Sequence, residues 1–132
     1  MRFLKQFRDW EDVEEHGARS VVFSERDPAE VMYVVLSGEV ELTLHGEPLG
    51  AENKGGIIGE MSMIESATHG ATATTLSKVK LARLDRVQLE DFIGKNSEFA
   101  LHVMEVMANR LRTVDNYITT QLAHTKIDKS LD

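Results

Sequence analysis

Gly55 to Ala73 reads G-G-I-I-G-E-M-S-M-I-E-S-A-T-H-G-A-T-A, and the meaning of the flanking sequence turns on this stretch. Gly55, Gly56 and Gly59 lead into a short apolar turn opened by Glu60. Nine positions later stand His69 and Gly70, followed by a Thr/Ala alternation. Glycines let the backbone approach a ligand closely, and the first amides of a helix point outward unpaired, so such a segment can cradle a phosphate-sized anion. A Gly-rich loop joining two strands is the other reading of the same residues.

Upstream, the chain is β-rich. Strands are expected over Ser20 to Phe23, Val31 to Leu36 and Glu39 to His45, then at Leu49 and the Ile57-Ile58 pair. Val40, Leu42 and Leu44 alternate with Glu39, Glu41, Thr43 and His45, the pattern of a strand with one buried and one wet face. Ser37-Gly38 is expected to be a tight turn between neighbouring strands, and His45-Gly46-Glu47-Pro48 the next turn, with the proline ending the ladder. Downstream, Ala71 to Leu76 and Lys78 to Leu84 continue the series, with Ser77 between them. Short strands joined by turns predict a small antiparallel barrel or roll.

Helices flank these strands. Phe3, Leu4, Phe7, Trp10 and Val13 recur at three- and four-residue steps, predicting a short amphipathic helix from about Leu4 to Glu15 that ends near Gly17. Asp85 and Gln88 form a capping-box pair ahead of Val87, Phe92 and Ile93, with Gly94 as the stop. Asn96 or Ser97 caps a second helix expected to run to about His124, roughly 40 Å at the helical rise. Along it Ala100, Met104, Met107, Leu111, Val114, Ile118 and Gln121 follow a coiled-coil seam, while Phe99, Val103 and Val106 lie on another side. One face is thus available to the sheet and another to a second helix. A homodimer through the C-terminal helix is expected, with Met104, Met107, Leu111, Val114 and Ile118 at its centre. A single wide stripe packed within one chain is the alternative. The domain plan is residues 1–95 as roll with its short helices, 96–124 as the long helix, and 125–132 as a polar tail.

The totals narrow the function. The 132 residues suit one domain, and 42% apolar with 28% charged residues is the composition of a globular chain. Twenty-two acids against fifteen bases give a formal charge of -7, which disfavours nucleic acid and anionic membrane surfaces as partners. Any bound anion must be held locally. The absence of cysteine removes disulfides, thiolate catalysis and Cys-ligated zinc, and no stretch has the length of a membrane span. A cytoplasmic protein is expected. His16, His45, His69, His102 and His124 are scattered without metal-type spacing, and Glu60 with His69 lacks a nucleophile, so neither a metal site, a cofactor nor an enzyme is expected.

Order and motifs together resemble the cyclic nucleotide-binding domain shared by catabolite activator-type regulators, kinase regulatory subunits and gated channels. The resemblance rests on Arg26-Asp27-Pro28 before a strand, on Met32 to Leu42 around Ser37-Gly38-Glu39, and on Gly59-Glu60-Met61-Ser62-Met63. Ala71-Thr72-Ala73 and Met107-Ala108-Asn109-Arg110-Leu111 complete it. It implies an α+β, mainly β fold: an antiparallel β-roll of jelly-roll or double-stranded β-helix type. A short N-terminal helix, a short phosphate-cassette helix and a long C-terminal helix flank that roll. It further implies a phosphate cassette made of Gly59, Glu60, Met61, Ser62, His69, Gly70 and Ala71, with cAMP or cGMP as ligand. Backbone amides at Gly59 and after it would meet the phosphate, and the Glu60 carboxylate would accept from the ribose 2′-hydroxyl. The base pocket would lie near Thr113 and Asp115; an exposed helix acid is the other reading of Asp115.

The chain departs from the family at His69 and Gly70, where nucleotide-binding members carry Arg and a small residue. Arg clamps phosphate with two charged hydrogen bonds, whereas imidazole offers one and is about half charged near pH 6.5. Losing one such bond, about 1.5–3 kcal/mol, lowers affinity roughly ten- to a hundredfold. The expected function is therefore a cyclic nucleotide-binding regulatory or signalling domain with a weakened phosphate clamp. The alternative is a degenerate module of the same fold that has lost the nucleotide and serves dimerisation or protein docking. A stand-alone domain without a DNA-binding part is expected.

Overall fold

The apolar run Val31 to Val35 has no polar alternation, and its side chains are buried throughout. Such a strand must be covered on both faces, and the fold is built so that it is. A computed structural model describes residues 2–28, 30–60 and 69–130. Among the described residues, eight strands form two antiparallel four-stranded sheets. The strands are β1 (Val13–His16), β2 (Val21–Phe23), β3 (Val31–Ser37), β4 (Val40–Leu44), β5 (Glu47–Glu52), β6 (Ile57–Ile58), β7 (Thr72–Thr75) and β8 (Val79–Asp85). One sheet has the order β1-β8-β3-β6 and the other β2-β7-β4-β5, so nearly every connection crosses from sheet to sheet. The result is the β-roll expected from the strand pattern, with α1 (Arg86–Lys95) and α2 (Ser97–Ser130) following it.

Ser37-Gly38 is not a hairpin turn, because β3 and β4 belong to different sheets. It is a crossing, tied to the neighbouring β7–β8 crossing by the Leu76 amide on the Glu39 carbonyl (2.8 Å) and the Glu39 amide on Ser77 Oγ (3.1 Å). Gly38 takes φ +88°, and a Cβ there would lie 2.2 Å from the Lys78 carbonyl oxygen. Among the described residues, the one tight hairpin joins β4 to β5, with His45 (φ +51°) and Gly46 (φ +81°) as its two loop residues. Pro48 does not end that ladder as expected. It pairs with Thr43 inside β5, an edge strand whose outer amides need no partner.

The N-terminal helix is shorter than its periodicity implied. A 3-10 helix covers Arg2–Phe7, and Val13–His16 forms β1 against β8. Trp10 Nε1 donates to the Arg83 carbonyl at 2.9 Å and the Arg83 amide to Asp12 at 2.7 Å, so pairing with β8 overrides helical continuation. The apolar spacing was real all the same. Phe3, Phe7 and Trp10 meet Phe92 and Phe99 in one aromatic cluster, which holds the N-terminus, α1 and α2 together.

The capping box before α1 is formed reciprocally, Gln88 amide on Asp85 Oδ1 and Asp85 amide on Gln88 Oε1, both 2.8 Å. The helix passes Gly94 and stops at Lys95, with Asn96 bonding the Phe92 carbonyl through amide and side chain. Helix α2 then runs to Ser130, beyond the expected end at His124 and through most of the expected tail. Its first turns bury Phe99, Val103 and Val106 against the roll.

Candidate functional site

Strand β6 is only two residues long, yet it sets the site. Ile57 and Ile58 pair with Val34 and Tyr33, and both side chains are fully buried, so the residues that follow leave the sheet at a fixed point. Gly59 leaves it with φ +81°. A Cβ there would stand 3.2 Å from His69 Cε1 and 3.3 Å from the Val31 carbonyl, so the dihedral favours glycine and a side chain would also press on its neighbours by a few tenths of an ångström.

Glu60 is 0% exposed, and a carboxylate that deep requires a partner. Arg110 of α2 supplies it. Its Nη1 donates to both carboxylate oxygens of Glu60, while Nη2 donates to the Ile57 carbonyl and, at 3.2 Å, to Glu52 Oε1. The guanidinium is itself largely enclosed, with 16% of its side chain exposed. Burial pushes the Glu60 carboxyl above the ordinary carboxylate range, and the Arg110 charge pulls it partly back. Eight residues earlier on α2, His102 Nε2 donates to the Gly55 carbonyl at 2.9 Å. The long helix is therefore bonded to the glycine-rich segment at both ends of β6.

His69 reaches the same place from the other side. Its amide donates to the Asp27 carbonyl (2.9 Å), and its carbonyl accepts from the Arg26 amide (2.8 Å). Its ring stacks on Phe23, centroids 3.7 Å apart and planes 11° from parallel. The imidazole is buried, not solvated as a loop histidine commonly is. Burial lowers its pKa from 6.5, against a smaller upward pull from Asp27, so the ring is neutral at pH 7.

The sequence-derived site residues thus divide. Gly59 and His69 are adjacent, and Glu60 is held by Arg110. Ala71 is half-buried, and Gly70 is exposed with open space where a Cβ would be. Met61 and Ser62 lie outside the described residues. Thr113 and Asp115 are not joined to Glu60 or His69 by any described contact: the Thr113 hydroxyl bonds the Asn109 carbonyl of its own helix (3.0 Å), and Asp115 is exposed. On the seam, Met104 (62%), Leu111 (64%) and Ile118 (50%) are exposed and Met107 is half-buried; the Val114 side chain lies outside the described residues. Leu101 and Leu122 are exposed as well and add to this apolar surface.

Arg110 is the residue that sequence reasoning missed as part of the site. It had a signal. Phe99, Val103, Val106 and Arg110 fall at steps of four, three and four, so the arginine continues the buried stripe, and a charge on that stripe requires a buried counter-charge. Among the described residues, no three His, Asp or Glu side chains gather in a metal-binding group, and no helix is long and apolar enough to cross a membrane.

A family model described as the cyclic nucleotide-binding domain matches residues 13–96. A CRP-like cAMP-activated global transcriptional regulator from Mycobacterium tuberculosis is 30% identical over 101 residues, covering 72% of this chain and 45% of that protein. A cAMP-dependent protein kinase regulatory subunit from Emericella nidulans is 28% identical over 79 residues, covering 58% of this chain and 19% of that protein. The chain therefore spans less than half the length of either relative. In fold, it is similar to the c-di-GMP responsive global regulator of Xanthomonas campestris, at 23% identity and a TM-score of 0.73, covering 89% of this chain and 62% of that one.

Proposed function

The chain belongs to the cyclic nucleotide-binding domain family, and from that premise we propose a regulatory module in which a cyclic nucleotide, cAMP or cGMP, binds at the Gly59-Glu60 turn and alters the hold on α2. The observation that carries this reading is the Glu60–Arg110 ion pair. The carboxylate suited to accept a ribose hydroxyl is the same group that anchors the long helix. A ligand that takes one of its lone pairs changes what Arg110 can bond. Arg110 can then lean further on Glu52 and the Ile57 carbonyl, which it already touches. Occupancy shifts the helix only to the extent that the ligand binds its alternative positions unequally.

The cassette in this proposal is Gly59, Glu60, Met61, Ser62, His69, Gly70 and Ala71, with Thr113 and Asp115 approaching the base only if α2 or a second copy brings them in. His69 stands where an arginine clamp would, and its neutral ring can give phosphate one uncharged hydrogen bond at pH 7. Affinity is accordingly expected to be weaker than with arginine. The exposed seam of Met104, Leu111 and Ile118, joined by Met107 and Val114, is the surface of a homodimer, and the dimer is the element that ligand occupancy regulates. The proposed module is not an enzyme, needs no cofactor, works in the cytoplasm, and contacts neither nucleic acid nor membrane directly. The degenerate alternative draws support from one observation: the His69 ring is already committed to Phe23.

Calorimetric titration with cAMP and with cGMP, at pH 6 and pH 8, tests the proposal with Glu60→Ala as control. Micromolar binding abolished in the variant is the expected result. No heat at either pH from a folded protein would leave the degenerate docking module standing.

A further inference from the structure

The molecule carries a net charge of -7, yet one groove on it is lined by four cations and no carboxylate. Lys5 and Arg8 come from the N-terminal segment, Lys54 from the turn before β6, and Lys80 from β8. All four are exposed, and among the described residues none has an ion-pair partner. The floor between them is apolar, with Leu4 and Leu36 half-buried and Phe7 below, and the cavity volume is about 370 Å³. In a chain with more acids than bases, convergence of cations from three separate segments on one apolar strip creates a local field opposite to the global one.

The groove is separate from the nucleotide site. Gly59 backs onto Val31 and Met32 at the start of β3, whereas Leu36 and Ser37 line the groove at its end, about 17 Å along the strand. Its walls are nevertheless tied to the long helix. Phe3 packs its ring on Phe99 and on His102, and His102 donates to the Gly55 carbonyl beside Lys54. One wall is thus held by α2 through Phe3, the other through Gly55, and the floor strand is clamped to the same turn by the Gly55 amide on the Val35 carbonyl (2.8 Å).

We propose that this groove docks an acidic segment of a partner protein, seating one apolar side chain on Leu4 and Leu36 between flanking carboxylates that meet Lys5, Arg8, Lys54 and Lys80. The four cations line an open groove with an apolar floor, which suits a chain of carboxylates carrying an apolar side chain better than one compact anion. Because both walls rest on α2, docking responds to the helix position.

The test titrates ¹⁵N-labelled protein with the peptide acetyl-E-D-E-L-D-E-D-amide at about 50 mM salt, where exposed charges still act at a distance. Amide shifts confined to residues 4–8, 36–37, 54–55 and 80 are expected. Lys54→Glu with Lys80→Glu should weaken binding about tenfold or more, while Lys95→Glu with Arg112→Glu, the same charge change outside the groove, should leave it within about twofold. Equal weakening by both pairs, or shifts centred on Glu60 and His69, would overturn the proposal. So would a peptide that fails to bind while ATP or phosphatidylglycerol vesicles produce the groove shifts.

Discussion

The two halves of the long helix have different surroundings. From Ser97 to Arg110 one stripe of it is held: Phe99 lies within the aromatic cluster, Val103 and Val106 are buried, His102 bonds Gly55, and Arg110 bonds the roll through Glu60, Glu52 and Ile57, while Leu101 and Met104 on another side are exposed. From Leu111 onward, apolar side chains of the same kind, Leu111, Ile118 and Leu122, face solvent. What separates the two halves is contact with the roll: among the described residues, the last α2 side chain bonded to it is Arg110. An apolar face that the roll leaves uncovered marks an interaction surface more readily than a folding defect.

That contrast can be broken at the anchored half with the largest effect. Phe99→Ala should cost about 3–5 kcal/mol in urea unfolding, since a fully buried ring in contact with Phe3, Phe7 and Phe92 leaves a cavity the cluster cannot refill. A loss below about 1 kcal/mol would mean the helix is held chiefly by its polar bonds. Arg110→Met comes next, at about 3 kcal/mol, because it leaves the Glu60 carboxylate buried beside Glu52 without its cation. The same variant should raise the Glu60 pKa further and free the distal helix to exchange amide protons faster, measurable by hydrogen exchange.

The third effect is smaller and depends on pH. With the His69 pKa below 6.5 in the folded state, the unfolded chain binds the proton more readily between those two values. Its contribution to stability is full above pH 6.5 and is lost as pH falls through the folded-state pKa. Urea midpoints for the protein should therefore drop from pH 7 to pH 5.5, and His69→Gln should show a shallower drop. Parallel curves would place the titrating group elsewhere. The smallest effect belongs to the distal half: Leu111→Ser with Ile118→Ser should change the intrinsic stability by no more than about 0.5 kcal/mol at such exposed positions. Sedimentation should nonetheless show a dimer becoming a monomer. A protein that is already monomeric at every concentration would remove the proposed role of the distal half.

Local chemistry made much of this molecule legible in advance. The alternation of Val40 and Leu42, the Asp85–Gln88 capping box, the start of α2 at Asn96 or Ser97 and the glycine at position 59 are each decided within a few residues, and each stands in the structure, the helix beginning at Ser97. The N-terminal segment failed for the opposite reason. A spacing of three and four describes Phe3, Phe7, Trp10 and Val13 equally well as one helix or as a 3-10 turn feeding a strand, and only β8, far along the chain, chooses between them. Pro48 misled in the same way, since a proline ends a central strand but not an edge, and edge position is a property of the assembled sheet.

The roll, the two C-terminal helices, the glycine-rich turn and the family were legible in the residues alone. They were so because strand alternation, caps and tight turns are short-range consequences of residue type. Only the tertiary structure decided that Glu60 is held by Arg110, that His69 lies buried on Phe23, and that four cations share one groove. Lys5 and Arg8 aside, these pairings join residues from 26 to 75 positions apart. Which side chain meets which, and how far each loses water on meeting, is fixed only when both sheets and the long helix have closed on one core.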